Sequence, residues 1–230
     1  MEGRTRRCVV IGASGGIGSA FCDALEADGA DVWRVSRGGE PALDYADPAS
    51  VERAAEHIGG PLDLVIVATG LLHAEDGYGP EKSMRDLDAD ALARAFLVNT
   101  IGPALVARSF LPLMRRDARS VFAALSARVG SISDNGIGGW YGYRSAKAAL
   151  NQMLKTASIE HARRWPQGIV VGLHPGTVDT GLSKPFQRNV AEGKLFDPDY
   201  SARSMLAVLD RLQPADTGKV FDYKGEEVPA

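Results

Sequence analysis

The sequence predicts an α/β fold: a doubly wound parallel sheet in a single domain over residues 1–230, with helices on both faces. Three observations lead there. Short apolar runs alternate with longer amphipathic ones, the runs carry almost no polar residues, and a glycine-rich turn follows the first of them. Uninterrupted apolar strands separated by helices indicate a parallel sheet covered on both sides.

Arg7–Ile11 reads as a buried first strand leading into Gly12-Ala13-Ser14-Gly15-Gly16-Ile17-Gly18. The helix that follows sets Ile17, Phe21 and Leu25 at i, i+4 and i+8, and Gly29 stands where a C-terminal helix glycine belongs. Asp31–Ser36 is a second strand, Pro48–Ile58 a helix, and Leu62–Ala68 a third strand, apolar except at Asp63. A long apolar helix is expected from about Leu87 to Leu111, with Pro103 inside it and Pro112 at its end. Val121–Leu125 is another strand, Tyr143–Arg164 another helix, and Ile169–Leu173 another strand. Residues 181–198 mix Gly, Pro, Lys and Phe without periodicity and are expected to form a mobile lid.

A chain of 230 residues with 45% hydrophobic content can bury a full core. Its formal net charge of −3 gives no polyanion-binding signature, which argues against nucleic acid as a partner. Cys8 and Cys22, the only cysteines, are expected as core thiols in a reducing compartment. After Arg4, Arg6 and Arg7 the apolar run lasts only from Cys8 to Ile11, too short for a signal-peptide core. No stretch is expected to approach a membrane span, so the expectation is a cytoplasmic protein without a membrane partner. The four histidines are scattered, and no Cys/His/carboxylate cluster has metal-ligand spacing.

The glycine turn lies where doubly wound, Rossmann-type folds bind a pyrophosphate on backbone N–H groups and a helix N-terminus. Its spacing is G-x-x-x-G-x-G, unlike the common dinucleotide fingerprint or a Walker loop, and a bare connecting turn is the alternative. Ser36-Arg37 closes the second strand, where an acidic residue would hold the ribose 2′-hydroxyl of NAD. Arginine suits a 2′-phosphate, and Ser14 could add a hydroxyl, which favours NADP over NAD; a solvated arginine is the alternative. Asp44 is placed to meet the adenine amino group, or is a plain turn aspartate.

Tyr143 precedes Lys147 by four residues, a spacing that stacks the two side chains on one helix face. A nearby ammonium favours the phenolate and brings a phenol toward working pH. Beside a hydride donor, the pair would handle the proton of a carbonyl reduction.

With the glycine turn, Tyr143-x-x-x-Lys147 and their order, the sequence resembles the short-chain dehydrogenase/reductase family over essentially the whole chain. Leu125-Ser126-Ala127-Arg128-Val129-Gly130-Ser131-Ile132, then Gly139-Trp140-Tyr141, and the tail from Gly218 to Tyr223 are similar to the C-factor/sniffer-type carbonyl reductase branch. The resemblance implies a catalytic set of Asn99, Ser126, Tyr143 and Lys147, with Asn99 holding a water that relays protons to Lys147; a helix-interior Asn bonding its own backbone is the alternative. Members usually carry two serines at the end of this strand, the second three residues before a glycine. Gly130 counts back to Ala127, so Ser126 fills the first position and is preferred, with Ser131 the other candidate. Ala68, Thr69 and Gly70 would border the adenine ribose. In Pro175-Gly176-Thr177-Val178-Asp179-Thr180, Val178 and Thr180 would meet the nicotinamide carboxamide; His174 just before it is expected to be structural. Lys147 would also bond the nicotinamide ribose.

These implications add up to an NADP-dependent reductase of aldehydes or ketones; Trp140, Tyr141 and Phe186 either line its substrate pocket or are ordinary packing. The alternative is an NADP-binding signalling or scaffold protein with little or no turnover. The family commonly pairs through the two helices near 87–111 and after Tyr143, which implies a homodimer or homotetramer and leaves a monomer open.

Overall fold

Apolar strands run side by side through the centre of the computed structural model, which describes residues 4–230. In chain order the elements are β1 (Arg7–Ile11), α1 (Gly16–Ala27), β2 (Asp31–Val35), α2 (Pro48–Ile58), β3 (Leu64–Val67), α3 (Ala89–Phe96), α4 (Gly102–Phe110) and β4 (Ser120–Leu125). Then come α5 (Tyr141–Ala162), β5 (Gly168–His174), β6 (Thr177–Val178), β7 (Leu195–Phe196), α6 (Pro198–Arg211) and β8 (Val220–Asp222). Six strands form one sheet in the order β2-β1-β3-β4-β5-β8, every neighbouring pair parallel.

Strand alternation divides the core into two layers. Cys8, Val10, Leu64, Ile66, Val121, Ala123, Ile169 and Val171 pack against α1 and α6. Val9, Ile11, Val65, Val67, Phe122, Ala124 and Val170 pack against α2, α4 and α5. Burial of each large aliphatic or aromatic side chain contributes about 1.5–3 kcal/mol. Surface ion pairs contribute about 0–1 kcal/mol each, so the two apolar layers hold the fold. Cys8 and Cys22 lie buried in the first layer, where burial pushes their thiols up to about 12 and about 11.

The chain leaves β1 for β2 on one side and for β3 on the other, so a crevice opens at the C-terminal ends of β1 and β3. Beyond β2 the sheet continues only as a single parallel bridge between Ser36 and Ala42.

Four expectations are corrected here. The helix expected over 87–111 is broken into α3 and α4 by a π-helical turn at Leu97–Ile101. Pro103 has no N–H to give the residue-99 carbonyl, and its ring would strike that carbonyl in a regular helix. The wider turn, closed by Gly102 N–H to Leu97 O, accommodates it. Secondly, Ala89–Leu113 is long and apolar enough to cross a membrane by length and composition, an 18-residue stretch of it having a mean hydropathy of 1.3. In this fold its Ala95, Val106, Ala107 and Phe110 are buried inside the protein. Thirdly, residues 181–198 are not irregular: Lys184–Asn189 is 3-10 helical, and β7 pairs with β6 through Thr177–Leu195 and Val178–Phe196. Lastly, the helix carrying Tyr143 begins at Tyr141.

α6 and β8 complete the fold beyond the elements read from sequence. α6 buries Ala202, Met205, Leu206, Val208 and Leu209 beside α1, and Asp197 caps it by accepting the Asp199 N–H.

Candidate active site

The crevice between β1 and β3 encloses about 430 Å³ and is lined by the glycine turn, Ser36, Arg37, Asp44 and residues 68–70. Gly15, the N-cap of α1, offers no side-chain cap, so the first N–H groups of the helix are open to a ligand. The turn is closed tightly enough to demand glycine. A Cβ at Gly18 would lie 2.1 Å from Gly12 O, and one at Gly16 would lie 2.8 Å from Thr180 Cγ2. Thr180, from the segment after β6, therefore packs against the glycine turn at Gly16. Ser14, Gly15 and Gly16 are exposed there, whereas the Ile17 side chain packs against the core.

Arg37 is exposed on the opposite rim and makes no salt bridge among the described residues, whereas Arg34 is tied to Asp23 and Glu26. An uncommitted guanidinium beside a backbone cradle suits a phosphorylated ribose. Asp44, also exposed on this wall, accepts the Ala46 N–H at 3.0 Å. Thr69 Oγ1 is 2.9 Å from the Tyr45 hydroxyl, and the Tyr45 ring lies against Gly102, where a Cβ would sit 2.2 Å away. Sequence reasoning passed over Tyr45, although its place one residue after Asp44 put it on the same wall. These residues fit a dinucleotide.

Asn99 is fully buried in the π turn. Its Nδ2 donates to Leu71 O at 2.8 Å and Ala95 O at 3.0 Å, and its Oδ1 accepts the Leu71 N–H at 3.1 Å. Three of the four hydrogen bonds an amide can make are thus to backbone. The side chain staples the segment after β3 to the helix. Thr100, next to it, donates to Ala146 O at 2.7 Å and ties the π turn to α5.

Tyr143 and Lys147 share one face of α5, with Lys147 Nζ 5.7 Å from the Tyr143 ring centre. Lys147 is 2% exposed and donates to Leu125 O at 2.7 Å. Burial brings its ammonium down to about 7 and pushes the Tyr143 phenol up. Burial alone sets the direction for Tyr143 here, upward.

Neither candidate serine has a free proton. Ser126 is 3% exposed, and its Oγ donates to Asn151 Oδ1 at 2.6 Å. Ser131 is buried, donates to Ala230 O at 3.4 Å and accepts the Asp134 N–H. A hydroxyl has one proton to give, and in this structure that of Ser126 goes to Asn151 on α5. Ala127 is buried at the start of the following turn.

After β5, Gly176 has φ +78°, and a Cβ there would fall 2.7 Å from the Phe196 ring. Pro175 O accepts the Ser201 hydroxyl at 2.8 Å, and Val178 is buried in the β6–β7 pair. His174 Nδ1 is buried with no partner among the described residues, and burial holds this histidine down at about 4, neutral at pH 7. The segment after β6 brings Phe186 to 5.1 Å from the Trp140 ring, and Trp140 lies 6.4 Å from the Tyr143 ring. Tyr141 is half-buried at the first position of α5.

A parallel sheet with a glycine cradle at its switch point and a Tyr-Lys pair on a buried helix face defines a class, and the chain belongs to it. The short chain dehydrogenase family profile matches residues 42–191, and the protein is a short-chain dehydrogenase/reductase. It is 38% identical over 171 residues to C-signal of Myxococcus xanthus, covering 74% of this chain and 93% of that protein. It is 30% identical over 225 residues to 1-hydroxy-2-glutathionyl-2-methyl-3-butene dehydrogenase of Rhodococcus sp. strain AD45, covering 92% and 93%. The solved structure of NADPH-bound carbonyl reductase from chicken fatty liver shares the fold at a TM-score of 0.85 and 24% identity, covering 100% and 96%.

Proposed function

We propose that the protein is an NADP-dependent reductase of aldehydes or ketones in which Tyr143 is the general acid. One observation carries this reading: on one face of α5 the buried Lys147 amine lies 5.7 Å from the ring centre of half-buried Tyr143. The NADPH named for the chicken carbonyl reductase and the dehydrogenase name of the Rhodococcus relative support it.

The bound dihydronicotinamide would supply the hydride. Gly12, Ser14, Gly15, Gly16, Ile17 and Gly18, with the N-terminus of α1, would hold the pyrophosphate, and Arg37 the 2′-phosphate. Asp44, Ala68, Thr69 and Gly70 would border the adenosine, while Pro175, Gly176, Val178 and Thr180 would hold the carboxamide end. Tyr143, protonated at neutral pH because burial raises its pKa, donates its O–H to the carbonyl oxygen and gives up the proton as the alcohol forms. Lys147, poised near neutrality, stabilises the phenolate left behind and returns a proton to it. Asn99 keeps the Leu71 segment in place rather than touching the reacting atoms. Trp140 lies between Phe186 and Tyr143, and such an aromatic cluster suits an apolar or aromatic carbonyl compound. A cytoplasmic setting and a small-molecule partner belong to the same reading.

A second reading, a dinucleotide-binding protein with little turnover, is favoured by the engagement of both Ser126 and Ser131 elsewhere. A panel of aromatic and aliphatic aldehydes and ketones, assayed for NADPH and NADH oxidation with detection of the alcohol, separates the two. Turnover of an aromatic carbonyl with NADPH supports the reductase. Tight NADPH binding with no alcohol from any member of the panel supports the binding protein.

A further inference from the structure

Glu81 is a buried carboxylate outside the proposed chemistry, 8% exposed and without a salt bridge among the described residues. Its Oε2 accepts the Gly142 N–H at 3.0 Å, and its backbone carbonyl accepts the Trp140 N–H at 2.6 Å. One residue thus grips both sides of Tyr141, immediately before Tyr143. α5 has no side-chain cap of its own, and Trp140 at its N-cap has no acceptor to offer. The carboxylate satisfies one of the helix's open N–H groups and complements its positive end. The fit is close: a Cβ at Gly142 would lie 2.8 Å from Glu81 Oε1 and 3.2 Å from Leu92 Cδ2.

Trp140 is the one non-glycine residue with positive φ among the described residues, at φ 55° and ψ 43°. A bulky side chain keeps that conformation only where its surroundings impose it. Glu81 does so, and the indole is thereby aimed between Tyr143 and Phe186. The same stretch of chain carries His73, whose Nε2 lies 2.8 Å from Gly181 O and whose ring is 5.9 Å from Phe186. Residues 73–81 therefore hold the start of the catalytic helix at one end and the segment after β6 at the other.

We propose that Glu81 is a positioning residue: it sets the Trp140 turn, and with it the aromatic wall that Trp140 and Phe186 present to bulky carbonyl substrates. This rests on the reading of α5 as the catalytic helix.

The test uses Glu81→Ala and Glu81→Gln, each in the full chain. Trp140 emission is read in a Trp33→Phe/Trp165→Phe background, alongside NADPH affinity and the kcat and KM for an aromatic and a two-carbon aldehyde. Glu81→Ala is expected to shift Trp140 emission and raise KM for the aromatic aldehyde about tenfold, with a smaller change for the small aldehyde and NADPH affinity kept. Glu81→Gln, whose amide oxygen still accepts the Gly142 N–H, is expected to restore the emission and to bring KM back within about threefold. Native emission with wild-type KM in Glu81→Ala overturns the proposal. Equal losses for both aldehydes together with lost NADPH binding overturn it too, because they mark a general support of the fold. If the unaltered protein reduces no carbonyl, the reductase reading fails, and Trp140 emission still judges Glu81.

Discussion

Ser126 gives its hydroxyl proton to Asn151 Oδ1 at 2.6 Å, eight residues along α5 from Tyr143. That separation is about 12 Å of helix. The bond joins the end of β4 to the helix that carries the Tyr-Lys pair, so it contributes to stability more than to chemistry. Ser126→Ala leaves the half-buried Asn151 oxygen without its donor, at a cost of about 1 kcal/mol. The expected result is a Tm lower by roughly 2–4 °C per kcal/mol lost, with kcat reduced by less than about tenfold. A larger fall in kcat at unchanged Tm would return Ser126 to the reacting centre.

Arg37 lies exposed beside Ser36 at the cleft and makes no salt bridge among the described residues. Arg37→Asp removes a charge-assisted contact to a 2′-phosphate and adds a repulsive one. KM for NADPH is expected to rise roughly 10- to 100-fold while that for NADH changes little. Unchanged preference in the steady-state comparison would show that Arg37 does not read the phosphate.

Asn99 is committed to Leu71 and Ala95 by three hydrogen bonds. Asn99→Ala leaves the Leu71 N–H and C=O without their partner next to Gly70 and is expected to lower Tm and NADPH affinity together. Titration of NADPH against the variant checks this. Full affinity with loss confined to the pH profile of turnover would instead support the water relay.

Stability should rise with pH above neutrality before it falls. Lys147 is brought from 10.5 to about 7 by burial, so in that window the unfolded chain holds a proton the folded chain has released. Stability then rises with pH. Cys8 and Cys22 move from 9.0 up to about 12 and about 11, so above pH 9 the unfolded thiols lose protons that the folded ones keep, and stability falls. Thermal melts from pH 7 to 11 should show both limbs, and Lys147→Met should flatten the first while sparing the second. A rising limb unaltered in that variant would contradict the burial of a titrating amine.

Much of this was legible in the chain. Arg7–Ile11 and Pro48–Ile58 match β1 and α2, because an unbroken apolar run and a proline at the first helical turn are local signals. Pro103 announced trouble in the long helix, but its resolution as a π turn depended on Thr100 and Asn99 finding partners on α5 and after β3. α6 had a local signature, Asp197-Pro198 followed by buried residues at helical spacing, and was overlooked. The Ser126–Asn151 bond and the Glu81 clamp had none. A polar residue's pattern does not say which distant partner will satisfy it, and Glu81 meets Gly142 from 61 positions away.

The most direct test is single-turnover NADPH oxidation by Tyr143→Phe, with NADPH binding measured on the same sample. The account predicts near-native binding and a rate lower by roughly 100-fold or more, because the phenol alone gives its proton to the carbonyl oxygen. A variant that binds NADPH and reduces the carbonyl at the native rate would contradict it.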